Sequence, residues 1–407
     1  KERIIKMKKS LKIFLTALVL TITTSAYPCT SAIISGKLTP DGRPLLWKHR
    51  DTGEDNNRVQ YFKTDKYNFI GLVNSNDSTG IVWAGTNSVG FSIINTASYN
   101  LKDDNVKEMD MEGHLMFKAL TQCKTIADFE KFLEKLPRPM RVEANFGVID
   151  SEGGAAYYEV NNTKFTKVDV NDPKVAPLGY LVYTNFSYTG RYNQGMGYIR
   201  YQNANNILMR QSSVGEITPE WIYDNLSRSY YHSILNIDLK NQKEAIEKSG
   251  GWFIDQDFIP RKTSTASIVF KGVKKGEDPL NTVMWTMIGF PPTAIAVPLW
   301  VKYSNQIPST LQRSKESENA YACTSSVTLK WRLFPITRGN GNKYFRYSLI
   351  TNSNQNGYQE ILKKYEKEIF NLYKPLINDN ITFNESELIT LKNKVDSIII
   401  NAYKTIL

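Results

Sequence analysis

The chain has 407 residues, 41% hydrophobic, 22% charged and 12% aromatic, a composition that folds rather than one that stays disordered. Three cysteines exclude a disulfide-rich scaffold and a Cys₄ zinc site, and three histidines (His49, His114, His232) without H-E-x-x-H spacing argue against a histidine metal centre. The net charge of +11 does not mark a nucleic-acid binder: six Lys/Arg and one Glu give the first twelve residues +5, and no dense basic block, Walker A or G-x-G-x-x-G sequence occurs.

Lys8, Lys9 and Lys12 precede an uncharged run from Ile13 to Ile22, and the small residues Thr23 to Ala26 follow. This order reads as a secretory signal peptide, with Met7 as the start, residues 1–6 as upstream sequence and cleavage before Tyr27. The run is too short to span a bilayer. The expectation is an exported protein, periplasmic or extracellular, with no stable membrane insertion after processing. A retained anchor and a lipid-modified Cys29 are the alternatives; Pro28 directly ahead of Cys29 argues against lipidation.

Residues 29–100 read as strands and turns. Ser31 to Ser35 is a short apolar run, Thr39 to Arg43 has Pro-Asp-Gly turn chemistry, and Pro44 to Trp47 resumes, which predicts a hairpin. Phe69 to Val73, Gly80 to Ala84 and Gly90 to Ile94 are three further strand candidates. Met111, Leu115, Phe117 and Leu120 then fit one helix face. A second helix is capped by Thr125 with Asp128 three residues on, and stopped by Pro137 and Pro139. Strands are expected again from Val142 to Asp150, Ala155 to Val160, Lys164 to Val170 and Tyr180 to Thr184. Residues 195–248 read as mainly helical, with Thr218 capping and Pro219 in the first helical position. Ser264 to Phe270 and Thr282 to Ile288 are strands, and 358–374 and 384–405 two C-terminal helices. The uncharged stretch Thr282 to Val301 is broken by Gly289, Pro291, Pro292 and Pro298, so it reads as a buried strand and loop rather than a membrane span. The alternation of strand and helix blocks is α+β, with layers packed on sheets.

Cys29 stands out by position. With residues 1–28 removed it carries both a thiol and the chain's α-amine, whose pKa is about 8. That amine can take the thiol proton, so one residue supplies nucleophile and base. The other reading is a buried cysteine, or one bridged to Cys123 or Cys323.

Cys29-Thr30-Ser31, the following hairpin and its end at Trp47-Lys48-His49-Arg50-Asp51 resemble the opening of N-terminal-nucleophile hydrolases of the choloylglycine hydrolase, penicillin V acylase and acyl-CoA:6-aminopenicillanate acyltransferase (peptidase C45) group. There a Cys-Thr start is followed by Arg-Asn-x-Asp. Lys48 stands for the arginine and Asp51 for the aspartate. Gly85 to Phe91 with Asn95, the hairpin from Ala144 to Glu159, and Tyr183-Thr184-Asn185 continue the pattern in order. Pro260-Arg261 lies where some members carry a late arginine. The resemblance covers roughly residues 29–300.

The resemblance implies a four-layer αββα sandwich, with residues 29–407 as one domain and a helical C-terminal extension from about residue 358. It implies hydrolysis of linear amide C–N bonds, of N-acyl amide or conjugated bile-acid type, through a thioester. Cys29 would attack, Asp51 orient the amine, and Asn95 and Asn185 stabilise the oxyanion. Lys48 would hold a charge near the thiol; Arg50, two residues on, would share its strand face and is the alternative carrier of that charge. No cofactor or metal is implied, and the partner is a small-molecule amide, with a homo-oligomer left open. Two rival readings stand: an acyltransferase passing the acyl group to an amine, and a non-catalytic exported binding protein on the same fold.

Overall fold

The computed structural model describes residues 29–407 apart from 78 and 379–381, so the signal-peptide reading of 1–28 lies outside the described residues. Thirteen strands form two antiparallel sheets. In chain order they are β1 (Thr30–Ile34), β2 (Leu45–Asp51), β3 (Asn57–Phe62), β4 (Phe69–Asn74), β5 (Ala84–Asn87), β6 (Ser92–Ala97), β7 (Ala144–Ile149), β8 (Ala155–Val160), β9 (Phe165–Asp169), β10 (Tyr180–Tyr183), β11 (Ser264–Lys271), β12 (Val283–Ile288) and β13 (Val297–Leu299). The first sheet has the order β10-β1-β2-β11-β12-β13, and the second runs β3 to β9 in sequence.

Period-two alternation sorts side chains between the faces of the second sheet. Ile70, Leu72, Ile94 and Tyr157 turn toward the first sheet. Phe69, Val73, Ile93, Phe146, Val148 and Tyr158 turn outward, where α1 (Glu112–Gln122) and α2 (Ile126–Lys135) cover them with Leu115, Leu120, Phe129 and Leu133. Close approach of α1 requires glycine at Gly85, where an added Cβ would stand 2.5 Å from Leu120. The Thr125–Asp128 capping box forms as predicted.

The outer side of the first sheet carries α3 (Tyr198–Ser212), α4 (Tyr321–Leu333), α5 (Tyr358–Asn378) and α6 (Glu385–Lys404). The order helix, sheet, sheet, helix is the expected four-layer αββα sandwich. The two C-terminal helices belong to that last layer. Phe370 of α5 meets Trp285 edge-on at 5.0 Å, and Glu366 pairs with buried Arg228 at 2.7 Å. No described helix is long and apolar enough to cross a membrane.

The structure departs from the expected elements in three places. Residues 195–248 are helical only in part: after Pro219–Ile222 and one wide turn, Tyr231–His232 and Ile237–Asp238 form a two-stranded ribbon. The cause is tertiary, since Tyr230 is drawn into a ring cluster with Phe258, Phe345 and Tyr347. The run Gly80 to Ala84 becomes strand only from Ala84, and β3 was not anticipated because Asn57 and Arg58 break its apolar pattern.

Candidate active site

Cys29 directly precedes β1, and the hairpin register pairs Thr30 with His49 and Ser31 with Lys48. The turn chemistry of residues 39–43 therefore sets which part of β2 lies beside the thiol. Cys29 Sγ comes 3.8 Å from the backbone oxygen of Asp51. Cys29, Cys123 and Cys323 are free thiols, so no bridge occupies Cys29. Burial pushes the thiols of Cys123 and Cys323 up to about 12.

Alternation along β2 divides the work. Asp51 is buried; its Oδ1 accepts from Ser264 Oγ at 2.6 Å and its Oδ2 accepts from the Arg261 guanidinium. The late arginine of the sequence pattern thus reaches the site through Asp51. His49 Nε2 lies 2.8 Å from Ser264 Oγ, and burial lowers its pKa to about 4.

On the other face Lys48 Nζ donates to Asn95 Oδ1 at 2.6 Å and to the Trp83 carbonyl at 2.7 Å. The ammonium is 1% exposed with no carboxylate paired to it among the described residues, and burial lowers its pKa to about 7. A Cys29 thiolate opposes that shift, while Arg50 adds to it. Arg50 does share the Lys48 face, but it serves Asn57 and Asn74 and stacks on the Trp83 ring at 4.9 Å. The link to Asn95 belongs to Lys48.

Asn185 follows β10, the other neighbour of β1. Its Nδ2 donates to Ala97 O at 2.8 Å, which leaves the second amide hydrogen, and its Oδ1 accepts from Arg200 at 2.8 Å. The segment after Asn185 is pinned by buried polar groups. Glu159 accepts from Tyr183 OH at 2.9 Å, from the backbone of Tyr188 at 2.5 Å and of Thr189 at 3.0 Å. Asn100 takes the Ser187 amide at 2.8 Å, and Asn145 accepts from the Ser187 hydroxyl at 2.5 Å.

The five predicted site residues, Cys29, Lys48, Asp51, Asn95 and Asn185, therefore converge on the start of β1. The Gly85 to Phe91 motif does not: Asn87 holds the end of α1 by donating to the carbonyls of Leu120 and Cys123, each at 2.9 Å. The Asp150 turn is likewise structural, its carboxylate accepting from Gly154 at 2.7 Å and Ile126 at 2.7 Å. Arg200, Glu159 and Trp83 were missed. Only Glu159 lay within a quoted motif.

Solved structures align with most of their own length. No family model and no curated protein matches the sequence. An N-acylethanolamine-hydrolyzing acid amidase orthologue from Caenorhabditis elegans aligns at 14% identity and TM-score 0.37, over 59% of this chain and 92% of that one. A variant of the conjugated bile acid hydrolase from Clostridium perfringens aligns at 12% and 0.39, over 67% and 92%. Penicillin V acylase from Agrobacterium tumefaciens aligns at 11% and 0.35, over 67% and 86%.

Proposed function

We propose that this protein is a cysteine amidohydrolase that cleaves linear amide C–N bonds through a thioester. The observation that carries the reading is the junction of Cys29 with three separate polar arms: Asp51 with Arg261, Lys48 with Asn95, and Asn185 with Arg200. A buried cysteine of purely structural role would need none of them.

In this reading removal of residues 1–28 frees the Cys29 amine. The amine takes the thiol proton, and the thiolate adds to the amide carbonyl. Asn185, and Asn95 held by Lys48, donate to the oxyanion. Collapse of the tetrahedral adduct breaks the C–N bond, and the Cys29 ammonium gives its proton to the departing amine. Water, deprotonated by the same amine, then cleaves the thioester and releases the acid. Asp51 accepts a hydrogen bond from the amine and holds it toward the sulfur. Export by the N-terminal segment, and an N-acyl amide or bile-acid conjugate as substrate, belong to the same proposal.

The test is the chain beginning at Cys29, incubated with N-acyl amino acids, aryloxyacetyl amides and bile-acid conjugates. An acyl adduct mapped to Cys29 by mass spectrometry, with acid release that Cys29→Ser largely abolishes, is expected. Near-normal turnover by Cys29→Ser, or no adduct with any member of the panel, would sink the proposal.

A further inference from the structure

Arg200 lies in the first turn of α3 and is 1% exposed. One guanidinium nitrogen donates to the carbonyl of Cys29 at 2.6 Å and to Thr30 Oγ1 at 2.7 Å. The other donates to Asn185 Oδ1 at 2.8 Å. All three acceptors are neutral oxygens; no carboxylate among the described residues forms an ion pair with Arg200, and its Nε is buried without a partner. Burial lowers its pKa to about 9, and a Cys29 thiolate counters that shift. A buried, uncompensated cation is costly and stabilises a fold poorly. Its placement makes sense as part of a site where negative charge develops.

The surrounding backbone is shaped to admit the guanidinium. Gly197, the residue before α3, has φ +80°, and a Cβ there would stand 2.2 Å from the Arg200 terminal nitrogen. The Met196 amide also donates to the Asn185 carbonyl at 3.0 Å, so the entry to α3 and Asn185 form one unit.

The geometry points to Arg200 as a positioning residue that fixes the nucleophile's own carbonyl and turns the Asn185 side chain so that its amide hydrogens, not its oxygen, serve the reacting carbonyl. An asparagine amide has an acceptor edge and a donor edge of nearly equal shape. The Arg200 fork can bind only the acceptor edge. It thereby selects the orientation in which Asn185 has a hydrogen to give. The inference rests on the amidohydrolase reading, and names what orders its oxyanion donor.

The experiment is a double-mutant cycle on the chain beginning at Cys29, with Arg200→Lys, Asn185→Ala and the pair. Arg200→Lys keeps the charge and loses the planar fork. It is expected to lower kcat about 10²-fold with KM within threefold, as loss of an oxyanion donor does. In the Asn185→Ala background the same change should cost no more than about threefold, because the group it orients is gone. Independent, fully multiplicative losses would overturn the inference. A second arm reads alkylation of Cys29 by iodoacetamide in the full chain, located by mass spectrometry. The pH midpoint should rise in Arg200→Met and stay in place in Arg200→Lys. An unchanged midpoint in Arg200→Met would also overturn it. This arm needs no amide turnover, so an inactive wild type removes the amidohydrolase reading while Arg200 is still judged. Arg200→Lys carries the cycle if Arg200→Met does not fold.

Discussion

Replacing Lys48 by methionine should alter the pH dependence of stability in a calculable way. The ammonium is buried, and its pKa falls from 10.5 to about 7. Between those values the unfolded chain binds a proton that the folded one does not, so stability rises with pH across that window. Each pH unit is worth about 1.4 kcal/mol, and the whole window about 5 kcal/mol. Below pH 7 the penalty is fully present, and above 10.5 it vanishes. Lys48→Met removes the penalty but leaves Asn95 Oδ1 and the Trp83 carbonyl without their donor, at about 1–3 kcal/mol each. Those losses do not depend on pH. The difference between wild type and variant should therefore move in favour of the wild type by about 1.4 kcal/mol per unit from pH 7 to 10. Urea unfolding at half-unit intervals measures it, and the remaining titrating groups cancel in the difference. Cys29 ionises near the same range and couples to Lys48, so both chains should also be compared on a Cys29→Ser background. A pH-independent difference on that background would show that Lys48 is ordinarily protonated and refute the argument.

Three further outcomes are expected. Asn185→Ala should lower kcat by about 10²–10³ with little change in melting temperature, and an unchanged kcat would return Asn185 to a purely structural role. Glu366→Gln should cost about 3–5 kcal/mol in urea unfolding, because it leaves Arg228 charged in a buried site where it had a two-point partner at 2.9 and 2.7 Å; a loss under 1 kcal/mol would contradict this. Burial raises the Glu112 carboxyl to about 7, so its contribution to stability is present below pH 4.5 and lost as pH rises through 7; Glu112→Gln should flatten the fall in melting temperature between pH 4.5 and 8, and an unaltered slope would count against it.

Maturation offers a direct check on the amine. With Tyr27-Pro28 attached, the Cys29 nitrogen is an amide and no base. A chain beginning at Tyr27 should be inactive until a dipeptidyl peptidase removes those two residues, as followed by mass spectrometry and amide turnover. Full activity with both residues attached would end the amine-as-base mechanism.

Much of the frame was legible because it is written locally. The Thr125 cap, Pro219 in a first turn, the Pro-Asp-Gly hairpin and the long periodic C-terminal helices each depend on residues within one or two turns of chain. Cys29, Lys48 and Asp51 share that property, since one hairpin brings them together. Asn95 and Asn185 were found by resemblance, as no local pattern distinguishes a strand-end asparagine. Arg200 was out of reach: it acts across 171 positions, and a lone arginine on a helix ordinarily reads as solvated. Glu159 had the same disguise within its strand. The ribbon at Tyr231 was lost for a different reason, because aromatic packing from residues beyond 250 overrides the local helical tendency.

The buried cations around the nucleophile also bear on what happens after the bond is broken. Lys48, Arg50 and Arg200 are all without a carboxylate ion pair among the described residues, and a Cys29 thiolate favours the charged form of each. An amide leaves such a site as two unlike fragments. The amine takes up a proton and is repelled, whereas the acid loses one and is retained. For an amide substrate the last and slowest departure is then that of the carboxylate. The kinetic mark of this charge arrangement is competitive inhibition by the free acid at concentrations where the free amine has no effect, weakening as salt is added.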